Sequence, residues 1–215
     1  MAGVRIVLTR VDELDAPFMA RAHGLGHDVA QIAVTTTRYR ELDDVAKELD
    51  GRSYRTIVLT SRRAARYVPV VNRLPDATLA CVGPTTRDAV KWDGRSIVAD
   101  PANAATLSQL VIDAPLIWLA GSPHREDFIT GIAARGLVCD IVEVYQTVSQ
   151  VLTDDERAIL SQADMVLCAA PSAWSAVSEL VSPVSRVVAL RASSIPPDVS
   201  NRQVVEQWDE LLEGE

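Results

Sequence analysis

Six short, nearly continuous apolar runs constrain the fold of this chain more than any other feature. They are Val4 to Leu8, Thr56 to Leu59, Leu79 to Val82, Leu116 to Leu119, Met165 to Cys168 and Val187 to Leu190. Apolar runs without polar alternation suit strands covered on both faces, as parallel strands are when helices flank their sheet. Helical spacing occurs between them. Leu14, Phe18, Ala22 and Leu25 predict one amphipathic helix, and Phe128, Ile132 and Ala133 predict another. Strands alternating with helices predict an α/β fold on parallel sheets.

The same pattern occurs twice. Ala22-His23-Gly24-Leu25 leads through Asp28-Val29 to Ile32 and Val34, and 112 residues later Ala134-Arg135-Gly136-Leu137 leads through Asp140-Ile141 to Val142 and Val144. Val4 to Leu8 aligns with Leu116 to Ala120 at that offset. Thr56 to Ser61 aligns with Met165 to Ala170 at 109, and Leu79 to Thr86 with Val187 to Ser194 at 108. Any two βα units look alike, but three matches in one order at nearly one offset predict two similar lobes. Extended polar segments, Thr35-Thr36-Thr37-Arg38 and Tyr145-Gln146-Thr147-Val148, follow equivalent points of the two copies. The chain either crosses between lobes at both segments or divides simply near residue 100.

The charge balance narrows function. A formal charge of -8 argues against non-specific nucleic-acid binding, which needs a field of Lys and Arg. It leaves room for a small anion held by local arginines and helix N-termini. No stretch approaches the roughly 20 apolar residues of a membrane helix, and charge interrupts the N-terminus too early for a signal peptide. Cys81, Cys139 and Cys168 lie far apart in apolar runs without a CxxC, which predicts buried thiols in a reducing cytosol. The three histidines have no metal-ligand spacing. The chain is expected to be cytoplasmic and monomeric, with no metal, membrane or nucleic-acid partner.

Ligands of open α/β sheets bind beyond the carboxyl ends of the strands. Thr9-Arg10, Thr60-Ser61, Gly83 with Thr85 and Thr86, and Gly121-Ser122 each end an apolar run and precede a helical one. Hydroxyls and helix N-terminal amides gathered there suit carboxylates, although Ser and Thr are also the preferred N-caps. Pro84 fits the first helical position. Arg62, Arg63, Arg66, Arg87 and Arg125 follow these strand ends, where a solvated helix face is the plainer reading of most. His124 follows Ser122-Pro123, where it could face the cleft, although a lone His is more often a cap or surface residue.

In its ordered set of weak motifs the chain resembles the uroporphyrinogen-III synthases. These motifs are Leu8-Thr9-Arg10, Gly24 before Asp28-Val29, Ile57 to Ser61, Val82 to Thr86, Leu119 to Ser122 and Val144 to Thr147, and they span residues 1–180. The resemblance implies two similar α/β lobes, each a parallel sheet flanked by helices, joined by a two-stranded hinge. It favours the double crossing, with residues 1–35 plus 148–215 as the first lobe and 38–145 inserted as the second. It implies a cofactor-free lyase that closes hydroxymethylbilane, a linear tetrapyrrole with eight carboxylates, into uroporphyrinogen III while inverting the last ring. Tyr145 matches the family's tyrosine and would be the catalytic group; a phenol is a neutral donor at physiological pH. Thr9, Arg10, Thr60, Ser61, Arg62, Gly83, Thr85, Thr86, Gly121, Ser122, Ser172 and Ser194 would contact substrate.

The chain also departs from the family pattern. Ala169-Ala170 stands where Thr-Ser is expected, and Arg191-Ala192-Ser193-Ser194 where Gly-x-Thr-Thr is expected. Arg10-Val11 lacks a proline. Ile195-Pro196-Pro197 cuts off the following helix, so one helix-strand unit is expected to be missing, with Val204 to Leu212 forming a closing helix. These departures keep open a relative that binds tetrapyrrole without the full chemistry. A nucleotide-binding α/β protein is the remaining alternative, but Gly24-x-Gly26 lies after a helix and before a strand, the reverse of a dinucleotide fingerprint.

Overall fold

In the computed structural model, which describes residues 3–71, 76–111, 113–124 and 126–212, the apolar runs are the strands of two sheets. In chain order the elements are β1 (Arg5–Leu8), α1 (Ala16–Gly24), β2 (Asp28–Gln31), β3 (Thr35–Tyr39), α2 (Leu42–Glu48) and β4 (Thr56–Leu59). A 3-10 helix, Arg62–Tyr67, runs into α3 (Val68–Val71), followed by β5 (Thr78–Cys81), α4 (Pro84–Asp88), β6 (Ser96–Val98), α5 (Ala104–Leu110), β7 (Leu116–Ser122), α6 (Asp127–Ala134) and β8 (Cys139–Ser149). The remainder is α7 (Asp154–Ser161), β9 (Met165–Cys168), α8 (Pro171–Val177), β10 (Arg186–Leu190) and β11 (Arg202–Val205), with 3-10 turns at Glu13–Asp15, Ala192–Ser194 and Trp208–Leu212.

The chain divides into two units, Met1–Thr36 with Val148–Glu215, and Thr37–Thr147. The first holds a five-stranded parallel sheet in the order β11-β10-β9-β1-β2. Its two faces bury alternate side chains of each strand. Val7, Val166 and Val187 lie in one cluster, and Ile6, Leu8, Leu167 and Val188 in the other. Double-sided burial explains the absence of polar alternation, and each such aliphatic side chain contributes roughly 1.5–3 kcal/mol.

The second unit carries β8-β7-β4-β5-β6, all parallel, with β3 beside β8 at the edge. Ile57, Leu79 and Ile117 face one cluster, and Val58, Ala80 and Trp118 the other. The duplication read from sequence reappears as topology. If β1, β2, β9, β10 and β11 are matched to β7, β8, β4, β5 and β6, both sheets have the same spatial order, with the second circularly permuted. In each sheet the order reverses beside the first-matched strand, at β1/β9 and at β7/β4, and ligands of such sheets bind outside that switch point.

Several expectations are corrected. Leu14 and Leu25 are exposed, because Asp12 caps a short 3-10 turn and α1 begins only at Ala16, with Pro17 in its first turn; Phe18 and Ala22 alone make its buried face. Ala133 is exposed, and Cys139 is only half-buried. Burial pushes all three thiols up to about 12, so none is a poised nucleophile. Strand β7 runs on through Gly121 and Ser122, which therefore lie in the strand and not in a turn after it. The expected missing strand is present as β11, paired in parallel with β10, and Val204 lies in it, not in a closing helix. Only the helix before it is reduced to the Ala192–Ser194 turn.

Arg191, at the place matched to Gly83, has φ 79° and ψ 147°, a region nearly confined to glycine. Its side chain is exposed, so little packing offsets the strain. Arg191→Gly is expected to raise stability by about 1 kcal/mol, measured as a higher urea midpoint at unchanged m-value.

Candidate active site

Strand β8 carries Tyr145, and an irregularity in its register sets that side chain's direction. Ala120 of β7 pairs with Glu143 but Gly121 pairs with Tyr145, so β8 holds one extra residue at that step. A bulge of this kind bends a strand and re-aims the side chains beyond it. The Tyr145 ring comes to lie over the Gly121 backbone. A Cβ on Gly121 would sit 2.2 Å from Tyr145 Cζ and 2.4 Å from its Oη. The two residues thus define one another.

Around them is a cavity of about 230 Å³ lined by Thr60, Val82, Ala104, Trp118, Gly121, Pro123, His124 and Tyr145. Thr60 follows the last residue of β4, Gly121 lies near the carboxyl end of β7, and Tyr145 sits opposite Gly121 on β8, which places the cavity at the switch point of this sheet. Each polar wall has a structural support. The Trp118 indole donates to Thr60 Oγ1 at 3.0 Å, which orients the hydroxyl and leaves its proton to give. The His124 ring stands edge-on to Trp118, with centroids 4.8 Å apart, and its Nδ1 lies 3.2 Å from the Gly121 carbonyl oxygen and 3.3 Å from a Glu143 carboxylate oxygen. Two acceptors at Nδ1 fix the proton there. The half-buried Tyr145 packs beside Tyr39, with ring centroids 6.2 Å apart. Among the described residues its hydroxyl has no hydrogen-bond partner, whereas Tyr54 donates to Asp140 at 2.7 Å and Tyr67 to the Arg40 carbonyl at 2.6 Å.

The structure brings together Thr60, Gly121 and Tyr145, and puts Ser122 at the end of β7 beside them. Ser61 caps the following 3-10 helix, accepting from the Arg63 amide at 3.3 Å. Gly83 precedes α4 in extended backbone, with Pro84 opening the helix, Thr85 exposed and Thr86 buried. Arg62 does not line the Tyr145 cavity but a separate one, and Arg125 lies outside the described residues.

The remaining expected contacts belong to the first unit and are largely committed there. The Thr9 hydroxyl donates to the Leu167 carbonyl at 2.8 Å, and Ser194 donates to the Leu190 carbonyl at 2.5 Å. Arg10 makes a two-point contact with Asp15, at 2.8 and 2.6 Å. Ser172 is half-buried in the first turn of α8. The sequence pattern does not single out Trp118 or Glu143, and it leaves His124 between a cleft-facing position and a cap or surface residue. A tryptophan inside an otherwise aliphatic run was the available signal for Trp118. The bulge that aims Tyr145 has no sequence signature.

Among the described residues no cluster of three or more His, Cys, Asp or Glu side chains is placed to hold a metal ion, and no helix is long and apolar enough to cross a membrane.

Gly121→Ala is expected to cost roughly 1–3 kcal/mol, the usual range for overpacking, because strand backbone and a packed ring must both shift. In a Tyr145→Ala background the same substitution should cost under about 1 kcal/mol. A double-mutant cycle by urea unfolding measures the difference.

Two α/β units of one strand order, with a tyrosine in the wall of a switch-point cavity, define the class of this protein. The family model for uroporphyrinogen-III synthase HemD matches residues 17–195, and the chain belongs to that family, a family of enzymes of tetrapyrrole and haem biosynthesis. Solved structures agree in fold. The uroporphyrinogen-III synthetase of Helicobacter pylori superposes with a TM-score of 0.65 at 14% identity, over 99% of this chain and 98% of that one. A mutant uroporphyrinogen III synthase of the extremely thermophilic bacterium Thermus thermophilus gives 0.64 at 16% identity, over 99% and 97%. No curated protein matches the sequence.

Proposed function

We propose that the chain is a lyase that converts hydroxymethylbilane into uroporphyrinogen III and water, with no cofactor. The observation that carries this reading is the unspent Tyr145 hydroxyl in the wall of a switch-point cavity. Tyr145 donates a hydrogen bond to the departing hydroxyl of the substrate, acting as the general acid as water leaves and an electrophilic azafulvene forms. The last pyrrole ring attacks through its substituted carbon, giving a spiro intermediate that fragments and recloses with that ring inverted. Closure without the enzyme gives the uninverted type I isomer, so much of the task is to hold a flexible chain in the reactive conformation.

In this reading residues 38–145 form the lobe that carries the acid, and Thr60, Ser61, Gly83, Thr85, Thr86, Gly121 and Ser122 offer hydroxyls and amides to the substrate carboxylates. Residues 1–35 plus 148–215 form the other lobe and offer Ser172, whereas Thr9, Arg10 and Ser194 would reach the substrate only by leaving their partners Leu167, Asp15 and Leu190. The two strand segments through which the chain passes serve as the hinge.

A second reading, a non-catalytic tetrapyrrole-binding protein, is favoured by one feature: the hydroxyls of Thr9 and Ser194 are turned onto carbonyls of their own unit, next to the Ala169-Ala170 substitution. Isomer analysis of the product formed from freshly made hydroxymethylbilane separates the two. Type III product establishes the synthase. Type I product alone, with the protein stabilised against heat by tetrapyrrole, establishes the binding protein.

A further inference from the structure

Conversion of hydroxymethylbilane into uroporphyrinogen III and water moves two protons. The departing hydroxyl takes one. The other is the hydrogen on the free α-carbon of the last ring, which must leave once that carbon has formed the closing bond, or the ring does not regain its aromaticity. A group that gives a proton therefore needs a group that takes one, and both act beside the same ring. The substituted α-carbon of that ring attacks where the hydroxyl leaves, and its other α-carbon carries the last proton.

The cavity that holds Tyr145 also holds His124. Its volume of about 230 Å³ lies below the usual range for a whole small-molecule ligand, so it admits one ring and not the entire chain. The imidazole is fixed from two strands. Its Nδ1 lies 3.2 Å from the Gly121 carbonyl oxygen on β7 and 3.3 Å from a Glu143 carboxylate oxygen on β8, and Trp118 of β7 meets it edge-on. With both acceptors at Nδ1 the proton sits there, and Nε2 keeps its lone pair. Every polar contact of the ring among the described residues falls on Nδ1, so Nε2 is unspent. The His124 side chain is 25% exposed, which lets a substrate atom reach it. A cap needs only the Gly121 carbonyl. The carboxylate adds what a base needs, a partner that orients the ring and favours its charged form, by a modest amount because Glu143 is half-exposed and screened by water.

We propose that His124, oriented by Glu143, is the catalytic base that removes the last proton, the counterpart of Tyr145. This rests on the synthase reading. The α-carbon proton passes to Nε2, the electron pair of the broken C–H bond restores the pyrrole, and His124 becomes an imidazolium beside Glu143. Tyr145 has by then given its own proton to the departing hydroxyl. Return of the proton from His124 to the phenolate, directly or through water, resets both groups. One water is released and no net proton is gained or lost.

The test uses hydroxymethylbilane carrying hydrogen or deuterium at its free α-carbon. His124→Asn keeps a donor in the place of Nδ1 and removes Nε2. It should slow type III formation at least about 10-fold, less than the most a positioned base contributes because water can take the proton instead. A deuterium isotope effect larger than that of the unaltered chain should appear with it, which a merely structural role for His124 would not produce. Glu143→Gln, at a half-exposed position, should show a smaller loss and the same isotope effect. It decides the matter if His124→Asn does not fold. An unchanged rate, or a slower rate without the added isotope effect, overturns the base and leaves the synthase reading standing. Type I product alone from the unaltered chain overturns both.

Discussion

Tyr145→Phe is expected to lower the rate of type III isomer formation at least about 100-fold, the usual contribution of a positioned acid, and to move the product toward the type I isomer. Removal of one oxygen leaves the ring on Gly121 and beside Tyr39, so the bulge between β7 and β8 stays as it is. The lost hydroxyl has no hydrogen-bond partner among the described residues, so no donor or acceptor is orphaned. Stability should therefore change by less than about 0.5 kcal/mol. Turnover of hydroxymethylbilane with separation of the isomers, beside a thermal melt of the same preparation, checks both halves. Tyr67→Phe is the control: it takes the donor from the partly buried Arg40 carbonyl, so it should cost about 1 kcal/mol of stability. A large loss of type III product with an unmoved melt marks Tyr145 as the acid. Type III activity equal to that of the unaltered chain would remove it from the chemistry.

What could be read from the sequence follows from what determines each feature. Strands buried on both faces announce themselves as apolar runs, and Thr56–Leu59 and Met165–Cys168 lie where the runs place them. The duplication was legible because equivalent strands carry equivalent burial. Boundaries set by single hydrogen bonds were less legible. The Asp12 cap leaves Leu14 outside α1, and no periodicity argument contains that competition. Strand β11 was missed because Arg202–Val205 is polar at its start and follows a segment rich in proline, and its existence depends on the open edge of β10 more than on its own pattern. At the site, hydroxyl-bearing strand ends were visible but their partners were not. Thr9 and Thr60 look alike in sequence. One gives its proton to a carbonyl 2.8 Å away, while the other accepts from an indole and keeps its proton to donate.

Asp15→Ala is expected to cost the first unit about 3 kcal/mol. The Asp15 side chain is only 1% exposed, accepts twice from Arg10, and accepts from the Trp208 indole at 3.1 Å. Trp208 belongs to the last 3-10 turn and to the same apolar cluster as Ile6 and Leu8 of β1, so one carboxylate joins the segment after β1 to the end of the chain. Its removal leaves the buried Trp208 N–H unpaired and Arg10 without its counter-charge. Breaking a buried ion pair costs 3–5 kcal/mol in general, and the lower end applies because the Arg10 side chain is 34% exposed and can turn to water. The Asp15 hydrogen bond raises the already high pKa of Arg10, which therefore stays charged throughout the accessible range. Asp15→Asn keeps one acceptor and should cost clearly less. Arg10→Met separates two roles for the arginine. If its work is to satisfy Asp15, the variant loses stability while the KM for hydroxymethylbilane changes less than about twofold below its melting range. A KM raised about 10-fold or more at unchanged stability would instead place the guanidinium on a substrate carboxylate.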